Sequence, residues 1–410
     1  MRRLLVLLAL LSVTVGPSQK DSGQQAIPKI SSEVKSVVHG NTAFALDLYS
    51  QLKECEGNLF FSPFSISSAL AIAYGGARGN TEKQMANILH FPANQEALHA
   101  EMSQIKSKLD AISTKEKVEL NIANGLWAQK DYGFLDGFLL LARKNYSSVV
   151  RFANFITNHE RVRKEINGWI ERETKKKIKK ALGPGVLSSF TRLVIVNGIY
   201  FKGDWASRFK KKNTKTKPFW ISPEQSVKTL LMQQEHEFRY MEKHNLKILE
   251  LPYIGNDLSM VFILPNSIDG LSELEESLIP KKLNTWLKDL RIFKVDVIVP
   301  KFKITSQIGL GSALSSMGMT DAFDSRRADF SAMTPLRPLF IDAVEHSALI
   351  EVDEKGTVAA TTTSIPLSCA AHVQPPSATF RADHPFVFLI RDNNTGTILF
   401  IGRVVDPRTN

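Results

Sequence analysis

The sequence predicts a single α+β domain, and three observations lead to that fold class. Segments with apolar residues at helical spacing occur among segments that alternate or are continuously apolar, as in a protein that mixes helices and strands. No long Gly/Ser/Pro linker, charge block or internal repeat divides the 410 residues. A hydrophobic content of 43% is ordinary for a soluble globular protein with a sizeable core. We therefore expect one large domain, although length alone would allow two or three.

The first eighteen residues indicate a secretory signal. Met1-Arg2-Arg3 precedes an apolar run from Leu4 to Val15, which has the charge and length of a signal peptide. This run is too short to span a bilayer, and no other apolar run reaches that length. We therefore expect cleavage near residue 18 and a secreted, extracellular protein without a membrane partner.

A secreted chain meets oxidising conditions and the glycosylation machinery. Its two cysteines, Cys55 and Cys369, cannot form a disulfide framework. A single bridge could form, but it would tether a loop that we expect to move, so two free thiols are the favoured alternative. Asn145 and Asn393 each begin an N-glycosylation acceptor sequence. Asn393 is the weaker candidate because it falls in a predicted tight turn.

The first third of the chain predicts helices followed by a strand. Residues 32–54 and 96–112 have apolar positions at helical spacing, and residues 118–129 form a strand-like run. Ser62 and Ser65 precede an Ala-rich segment, where they could serve as helix caps. The glycine-rich residues 75–81 lack a phosphate-loop pattern and predict a tight turn, with Thr81 capping the next helix.

The remaining chain is richer in strands. Residues 159–180 predict a highly basic helix. Strands are expected at 251–253 and 260–265, and residues 295–303 alternate and predict one further strand. The C-terminal segment 380–404 predicts two apolar strands around an Asn/Gly turn.

Residues 354–380 suit two different environments. Residues 357–365 are small or β-branched and uncharged, as buried strands are, and neither alternating face carries a group costly to bury. Pro366, Pro375 and Pro376 instead favour an exposed loop. Inserting the first half into a sheet would form about ten backbone hydrogen bonds at roughly 1 kcal/mol each, which rivals the stability of a typical fold. Such a loop would store free energy until it is cut.

The chain resembles the serpin family, whose members inhibit serine proteases. The resemblance rests on ordered motifs from about Asn41 to Pro407: Asn58–Ile66, Asn121–Trp127, Asn197–Trp205, Pro300–Phe302, Glu354–Ala360 and Phe380–Val404. It implies a serpin fold with about nine helices around three β-sheets and an exposed reactive-centre loop at about 354–380. Residues 19–40 would then be an N-terminal extension, and 41–410 the serpin domain.

The resemblance also implies roles for individual residues. Ser62, Ser65, Asn197 and His346 would control the opening of the main sheet, and Trp205 would lie where the loop begins to enter it. Lys301 would pair with Glu354, and for an exposed pair the gain is only about 0 to 1 kcal/mol. The hinge residues implied by the motif are Glu354, Gly356, Thr357, Val358, Ala359 and Ala360.

The activity that the resemblance implies is inhibition by a suicide mechanism. A target serine protease would cut the loop and form an acyl enzyme, and loop insertion would then distort the attached protease. The family's spacing from the hinge places the reactive bond at Ala370-Ala371, which suits an elastase-like pocket. Leu367-Ser368 is the alternative and suits a chymotrypsin-like or elastase-like target. Neither bond follows Arg or Lys, which argues against trypsin-like targets.

Two other classes of function were weighed against the inhibitor. A hydrolase would need a nucleophile motif or a zinc motif, and the chain has neither Gly-x-Ser-x-Gly nor His-Glu-x-x-His. We therefore expect no enzyme activity, no catalytic residues, no metal and no cofactor. A non-inhibitory serpin-like carrier or chaperone would favour bulky, charged or proline residues between Thr357 and Thr363, and this sequence has none.

The formal charge of +11 predicts a polyanionic partner. It falls to about +9 once Arg2 and Arg3 are removed with the signal. A secreted basic protein rarely meets nucleic acid, so the expected polyanion is heparin or another glycosaminoglycan, bound by an otherwise monomeric protein. The candidate residues are Arg172, Lys175, Lys176, Lys177, Lys179, Lys180, Lys210, Lys211 and Lys212. Solvated lysines that only keep the protein soluble are the alternative for either group.

Overall fold

The computed structural model describes residues 32–114, 118–146, 148–356 and 376–408. Its helices are α1 (Ser32–Leu52), α2 (Pro63–Gly76), α3 (Gly79–Leu89), α4 (Gln95–Thr114), α5 (Asp136–Tyr146), α6 (Phe155–Glu173), α7 (Leu271–Ser277), α8 (Pro280–Asp289) and α9 (Gly311–Ser316). Its strands are β1 (Leu59–Phe61), β2 (Val118–Gln129), β3 (Val149–Ala153), β4 (Leu193–Gly203), β5 (Lys215–Ser222), β6 (Gln225–Lys243), β7 (Leu246–Pro252), β8 (Leu258–Pro265), β9 (Arg291–Pro300), β10 (Phe302–Gly309), β11 (Ala343–Val352), β12 (Ser377–Arg381), β13 (Phe386–Asp392) and β14 (Ile398–Val404). The α+β prediction is confirmed.

The described strands form two hydrogen-bonded sheets, not the three expected. A five-stranded sheet has the order β10-β11-β4-β2-β3, and a nine-stranded sheet has the order β1-β14-β13-β8-β7-β6-β9-β12 with β5 paired to β6. The 19-residue strand β6 pairs with β5 at its beginning and with β7 at its end. One long strand therefore merges two expected sheets into one.

The centre of the five-stranded sheet is a parallel pair between antiparallel neighbours. Strand β11 pairs in parallel with β4, whereas β10 pairs antiparallel with β11 and β2 pairs antiparallel with β4. In this register His346 of β11 lies opposite Asn197 of β4. We call the boundary between β11 and β4 the parallel seam. Parallel pairing is slightly less stable per residue than antiparallel pairing. The seam is one of two parallel boundaries in this sheet, and the other joins β2 to the edge strand β3.

Helix α2 lies inside the protein, behind the parallel seam. All fourteen of its residues are buried, and it contacts β4, β2 and β14. Its Ala- and Ser-rich sequence allows close approach on every side, since a helix buried all round needs small side chains. Ser62 caps its first turn by accepting a hydrogen bond from the Ser65 N–H at 3.2 Å, and Pro63 occupies the first turn.

Helix α6 covers the opposite face of the sheet beside its edge strand. The Arg151 guanidinium lies 5.5 Å from the Trp127 ring and 5.7 Å from the Trp169 ring, which anchors α6 to β2 and β3 by cation–π contacts. A Cβ at Gly125 would come within 2.6 Å of the Trp169 ring. The glycine therefore makes the space that the α6 tryptophan occupies.

The predicted helix 159–180 ends earlier than expected. Helix α6 stops at Glu173, because the Thr174 hydroxyl accepts a hydrogen bond from the Ile178 N–H and Lys175 and Lys176 both adopt positive φ. Residues 174–192 then cross back over the sheet, and we call them the α6–β4 connector. The Gln307 amide of β10 donates to the Ala181 carbonyl at 2.7 Å, so this connector reaches across the parallel seam to the edge strand.

Other predicted boundaries also change. Helix α1 begins at Ser32, so it crosses the boundary predicted at residue 41, and Val34, Val37 and Val38 are already part of the core. The strand predicted at 295–303 is two strands in different sheets, because the chain changes sheet at Lys301. The loop predicted to extend to 380 ends before β12, which pairs in parallel with β9.

Two further sequence expectations have a structural answer. Thr81 lies inside α3 and does not cap it; its hydroxyl instead accepts a hydrogen bond from the Asp329 N–H at 3.0 Å. No helix in the described ranges is both long enough and apolar enough to cross a membrane.

Candidate functional site

A buried polar cluster ties together the two strands of the parallel seam. The His346 ring nitrogen Nδ1 lies 2.5 Å from the Asn197 Oδ1, so a side-chain hydrogen bond links β11 to β4. The Asn197 amide also donates to the Asn124 Oδ1 of β2 at 2.5 Å. The three side chains form a ladder across three strands, and His346 and Asn197 are at most 1% exposed.

The same cluster connects the seam to the start of α2. The Asn197 amide donates to the Ser65 Oγ at 2.5 Å, and the Ser62 N–H donates to the His346 Nε2 at 3.1 Å. The Ser62 hydroxyl donates to the Leu399 carbonyl at 2.6 Å, in the other sheet. The four residues predicted to control sheet opening are therefore in direct contact, and separating β11 from β4 would break the bond between His346 and Asn197.

The hydrogen bonds require His346 to be neutral. Since Nε2 accepts from Ser62, the ring proton lies on Nδ1 and is donated to Asn197. Burial lowers the pKa of His346 to about 3. A protonated ring would lose the Ser62 bond and leave a charge in the core, so acid should weaken this cluster.

We expect this histidine to make the protein less stable in acid. Because its folded pKa lies below the unfolded value of about 6.5, its contribution is present above that pH and declines as pH falls. The unfolding free energy falls by about 1.4 kcal/mol for each pH unit below the unfolded pKa. Because pH 5 lies roughly 1.5 units below that pKa, the loss at pH 5 is about 2 kcal/mol. His346→Gln keeps one donor and one acceptor but does not titrate. Urea unfolding at pH 7.5 and pH 5 should show the advantage of wild type over this variant shrinking by that amount; an unchanged difference would contradict the assignment.

Two nearby carboxyl groups shift in the opposite direction. Burial raises the pKa of Glu345 to about 7. Burial also raises the pKa of Asp342 to about 6, although the backbone N–H groups of Arg192 and Leu193 donate to its carboxylate and partly oppose the rise. Raised carboxyl pKa values favour the folded state as pH falls. Because these carboxyl groups change the stability of both proteins alike, the effect of His346 is measured as the difference in unfolding free energy between wild type and His346→Gln.

The first hinge residues form a tight turn at the end of the parallel seam. The Gly356 N–H donates to the Asp353 carbonyl at 3.1 Å, and the Asp353 N–H donates to the Gly356 carbonyl at 3.2 Å. Gly356 has a φ of +107°, and a Cβ there would lie 2.3 Å from the Trp205 nitrogen and 2.4 Å from the Gly203 oxygen. Only glycine fits this position, for reasons of both conformation and space.

Residues 203–214 hold this turn through backbone bonds. The Trp205 N–H donates to the Lys355 carbonyl at 3.0 Å, and the Phe209 N–H donates to the Glu354 carbonyl at 3.0 Å. The Trp205 indole N–H donates to the Asp353 carbonyl at 3.0 Å, and its buried ring stacks on Tyr253 with centroids 4.7 Å apart. Trp205 thus lies beside the hinge turn, and the part in loop entry that the resemblance implies for it stays a prediction.

The Glu354 carboxylate anchors the hinge to the nine-stranded sheet. It accepts from the Lys301 ammonium at 2.9 Å and from the Thr214 hydroxyl at 2.9 Å. The Glu354 side chain is 7% exposed and that of Lys301 is 32% exposed, so the expectation of an exposed pair is wrong: residues 203–214 cover the carboxylate. Burial by itself raises the pKa of Glu354, but the hydrogen bonds from Lys301 and Thr214 outweigh it, and the net pKa is lowered. The ion pair with Lys301 therefore compensates the buried negative charge of Glu354, and its loss would leave that carboxylate without a cation.

The rest of the predicted loop lies outside the described residues. This applies to the hinge positions Thr357, Val358, Ala359 and Ala360, to both candidate reactive bonds, Ala370-Ala371 and Leu367-Ser368, and to Cys369. The signal segment 1–18 also lies outside them. Cys55 is described and is a free, exposed cysteine.

The predicted polyanion residues are exposed, but they differ in how free they are. All nine side chains, Arg172, Lys175, Lys176, Lys177, Lys179, Lys180, Lys210, Lys211 and Lys212, belong to exposed residues. Lys175 already pairs with Glu119 at 2.8 Å, and the Lys177 ammonium lies 5.4 Å from the Tyr200 ring centroid. Within the described ranges, Lys210, Lys211 and Lys212 have no ion pair with a carboxylate, and they are consecutive, so these three form a compact group of exposed cations.

The two glycosylation candidates differ in the state of the acceptor nitrogen. The Asn393 Nδ2 already donates to the Asn256 carbonyl at 2.8 Å and to the Ser259 hydroxyl at 2.7 Å. The Asn145 Nδ2 lies near the end of α5 and makes only a long contact of 3.4 Å with the Leu141 carbonyl. A glycan on Asn393 would replace one of the two Nδ2 hydrogens and so break at least one good hydrogen bond, whereas one on Asn145 would cost at most a poor one.

Sequence reasoning missed several members of the site. Asn124 completes the polar ladder, Thr214 supports Glu354, and Asp353 closes the hinge turn. For Asn124 there was a signal, since a carboxamide within an apolar strand requires buried hydrogen-bond partners. No such signal existed for Thr214, because it lies 140 residues from its partner in an unremarkable polar segment. In the described parts of the chain, no three His, Cys, Asp or Glu side chains gather as metal ligands.

Comparisons with known proteins agree with this geometry. The family model described as "Serpin (serine protease inhibitor)" matches residues 39–407. The leukocyte elastase inhibitor of Sus scrofa is 41% identical over 377 residues, covering 90% of this chain and 98% of the relative. That of Xenopus tropicalis is 40% identical over 375 residues, covering 89% and 98%. The crystal structure of uncleaved ovalbumin superposes with a TM-score of 0.82 at 31% identity, covering 91% of this chain and all of the other.

Proposed function

Because this chain belongs to the serpin family of serine protease inhibitors, we propose that it traps an elastase-like or chymotrypsin-like protease as a suicide substrate. The protease forms an ester with the residue before the cut bond and releases the segment after it as a new amino terminus. The arm from Thr357 onward then inserts into the five-stranded sheet with the acyl enzyme still attached. Distortion of the protease prevents water from completing hydrolysis. The nucleophile is the target's, and this chain contributes no catalytic residue.

The observation that carries this proposal is the parallel seam. Strands β11 and β4 run in the same direction and end beside the hinge turn, with Gly356 against Gly203 and Trp205. A segment that reverses direction after Gly356 would run antiparallel to both strands. Its insertion would replace one parallel boundary by two antiparallel ones, and the antiparallel arrangement is the more stable per residue. The small residues at 357–365 fit between strands without burying a charge.

Two things support the target class: the residue before the candidate reactive bond and the names of the relatives. The leukocyte elastase inhibitors are named for an elastase, and Ala370 or Leu367 before the cut bond suits a small or apolar specificity pocket. Ala370-Ala371 leaves a longer arm for insertion than Leu367-Ser368 does, so we favour it. An SDS-stable adduct, followed by mass measurement of the released C-terminal peptide, distinguishes the two bonds.

The test is covalent complex formation with elastase-like, chymotrypsin-like and trypsin-like proteases. Wild type should give an SDS-stable adduct of about one-to-one stoichiometry with a protease of the first two classes. Thr357→Arg should be cleaved at the same bond without leaving an adduct, because its guanidinium would have to enter the sheet unpaired. Thr379→Arg is the matched control, since Thr379 is exposed on β12, beyond the loop, and should leave trapping intact. Equal adduct yields from wild type and Thr357→Arg would refute insertion, and absence of any adduct with wild type would favour a carrier role.

We also propose that the protein is secreted as a glycosylated monomer. The support is the charged and apolar pattern of residues 1–18 and the acceptor sequence at Asn145. When the full chain is expressed in a secreting cell, the protein should be found in the culture medium. It should start near residue 19 and lose mass when glycans are removed enzymatically. Asn145→Gln should abolish that loss, whereas Asn393→Gln should not. Retention of the protein with residues 1–18 inside the cell would contradict secretion.

A glycosaminoglycan is the proposed polyanionic partner, and Lys210, Lys211 and Lys212 are its main contacts. They are exposed, unpaired among the described residues and adjacent to the segment that holds Glu354. Replacing all three by Gln should lower the salt concentration that elutes the protein from heparin, since each lost contact weakens the salt dependence. Elution of wild type at or below physiological salt would end this proposal.

A further inference from the structure

A two-lobed cleft lies on the nine-stranded sheet, away from the parallel seam. The larger lobe has a volume of about 820 Å³ and lies between residues 206–213 and β6. The smaller lobe has a volume of about 300 Å³ and is lined by residues of β6, β7, β8, β9 and the end of β13. Glu237, Phe238, Pro252 and Asn256 line both lobes, so the two are continuous.

Arg391 stands out among the residues that line the smaller lobe. It is only partly exposed, yet among the described residues its guanidinium has no hydrogen-bond acceptor and no carboxylate partner within bonding distance. The Glu250 carboxylate is near enough to interact with the Arg391 charge, but its ion pair is with Arg239, at 2.7 Å. The neighbouring Asp392 is occupied by the Asn394 N–H at 3.0 Å and by Thr395. Arginine stays charged under such conditions, so a guanidinium that feels Glu250 and Asp392 only at longer range, and is not hydrogen-bonded to either, faces the cleft.

The other residues that line the smaller lobe determine which kind of anion could pair with the Arg391 guanidinium. Pro252 and an edge of Phe238, which is itself only 4% exposed, supply apolar surface, and Ile292 at the rim is 51% exposed. The lining carries two carboxylates, Glu237 and Glu250, and two guanidinium groups, Arg239 and Arg391, so it has no excess positive charge to hold a dianion or a polyanion. The lining is therefore mixed, with charged and polar groups placed beside an apolar strip of Phe238, Pro252 and Ile292. Convergent polar groups next to apolar surface are what orient a small molecule in its site.

We propose that this cleft binds an amphipathic organic monoanion, with its carboxylate on the Arg391 guanidinium and its apolar body against Phe238 and Ile292. A carboxylate matches the planar fork of arginine and can form two parallel hydrogen bonds. The larger lobe gives room for a longer body, and its far wall carries Arg208 and Lys210. Lys210 lines this cleft and is also one of the proposed polyanion contacts, so the two sites adjoin. They differ in chemistry, because this one requires a single negative charge and an apolar group together.

The probe for this site is naphthalene-2-carboxylate, followed by ligand-observed NMR titration of the full chain. A ligand of this size, with the binding free energy per heavy atom that is usual for small organic ligands, has a Kd on the order of 1 mM. Arg391→Met should weaken binding at least tenfold, and Arg326→Met, which removes an exposed arginine elsewhere, should not change it. Naphthalene-2-carboxamide should bind wild type at least tenfold more weakly than the acid.

A second variant keeps the test decisive if Arg391→Met fails to fold. Ile292→Asp changes a half-exposed rim residue and adds a like charge beside the ligand, so it should weaken binding by a similar factor while melting near the wild-type temperature. Inorganic phosphate at 10 mM should not displace the probe. The proposal is overturned if wild type binds nothing below 20 mM, if the carboxamide binds as well as the acid, if phosphate competes, or if Ile292→Asp binds as wild type does.

Discussion

Protein cut once within residues 357–375 should unfold at a temperature about 10 °C above that of the intact chain. Insertion of the freed arm at the parallel seam adds about ten backbone hydrogen bonds at roughly 1 kcal/mol each. Unfolding entropy of about 2 cal/mol/K per residue over a domain of this size converts that gain into an increase of roughly 10 °C. Differential scanning calorimetry of intact and cut protein, after mass measurement has confirmed a single cut, gives the difference directly.

The cut Thr357→Arg protein is the control for this measurement. It carries the same break but should gain little, because the arginine blocks entry of the arm beside Gly356. A large gain in both proteins would mean that the cut stabilises by some route other than insertion. If cut wild type melts no higher than intact wild type, the proposed inhibitory mechanism fails with it.

Gly356→Ala should be among the most damaging single substitutions in the described chain. Its Cβ would come within 2.4 Å of two backbone atoms, and its φ of +107° is already unfavourable for alanine. The turn would have to move away from residues 203–214, and the bonds from Trp205 to Lys355 and from Phe209 to Glu354 would be lost at about 1 kcal/mol each. We expect a total loss of roughly 3 to 5 kcal/mol in unfolding free energy, measured with denaturant.

Gly255→Ala separates the close contact from the backbone strain. Gly255 has a φ of +90°, but a Cβ there would meet only the Asp257 carboxylate, at 3.5 Å. This variant should lose only about 1 to 2 kcal/mol, from strain alone. Losses of equal size at the two positions would show that residues 203–214 do not grip the hinge. The adduct yield of Gly356→Ala should also fall, because the arm would start from a displaced position, while that of Gly255→Ala should not.

The sequence was most informative where the pattern is local. Strand β2 was predicted with its observed limits, 118–129, because an apolar run between turns identifies a strand by itself. The single strand predicted at 295–303 was wrong, because alternation continues through Lys301 while the chain moves from one sheet to the other. Nothing in a one-dimensional pattern distinguishes a continuous strand from two strands that meet at a corner.

For the candidate site, the sequence predicted only those long-range contacts that the family motifs imply. Ser62, Asn197 and His346 are distant in the sequence, and the family resemblance, not their spacing, brought them together. The burial of Glu354 was missed because residues 203–214 cover its side chain. These residues are distant in the sequence, since Thr214 precedes Glu354 by 140 positions. Arg391 could not be recognised as unpaired from the sequence, since nearby Asp392 and Glu250 would each have been plausible partners.

The α6–β4 connector has a mechanical consequence for the sheet. Helix α6 is fixed to β2 and β3 through Trp169 and Arg151, while Gln307 holds the connector at Ala181 from the far edge strand. Any widening between β11 and β4 therefore strains this hydrogen bond, together with the one that the Arg192 N–H donates to the Asp342 carboxylate, and both oppose the opening. Gln307→Ala should remove the first of these bonds, so hydrogen exchange at the amides of 343–350 should accelerate, even though this side chain touches neither the hinge nor the histidine cluster.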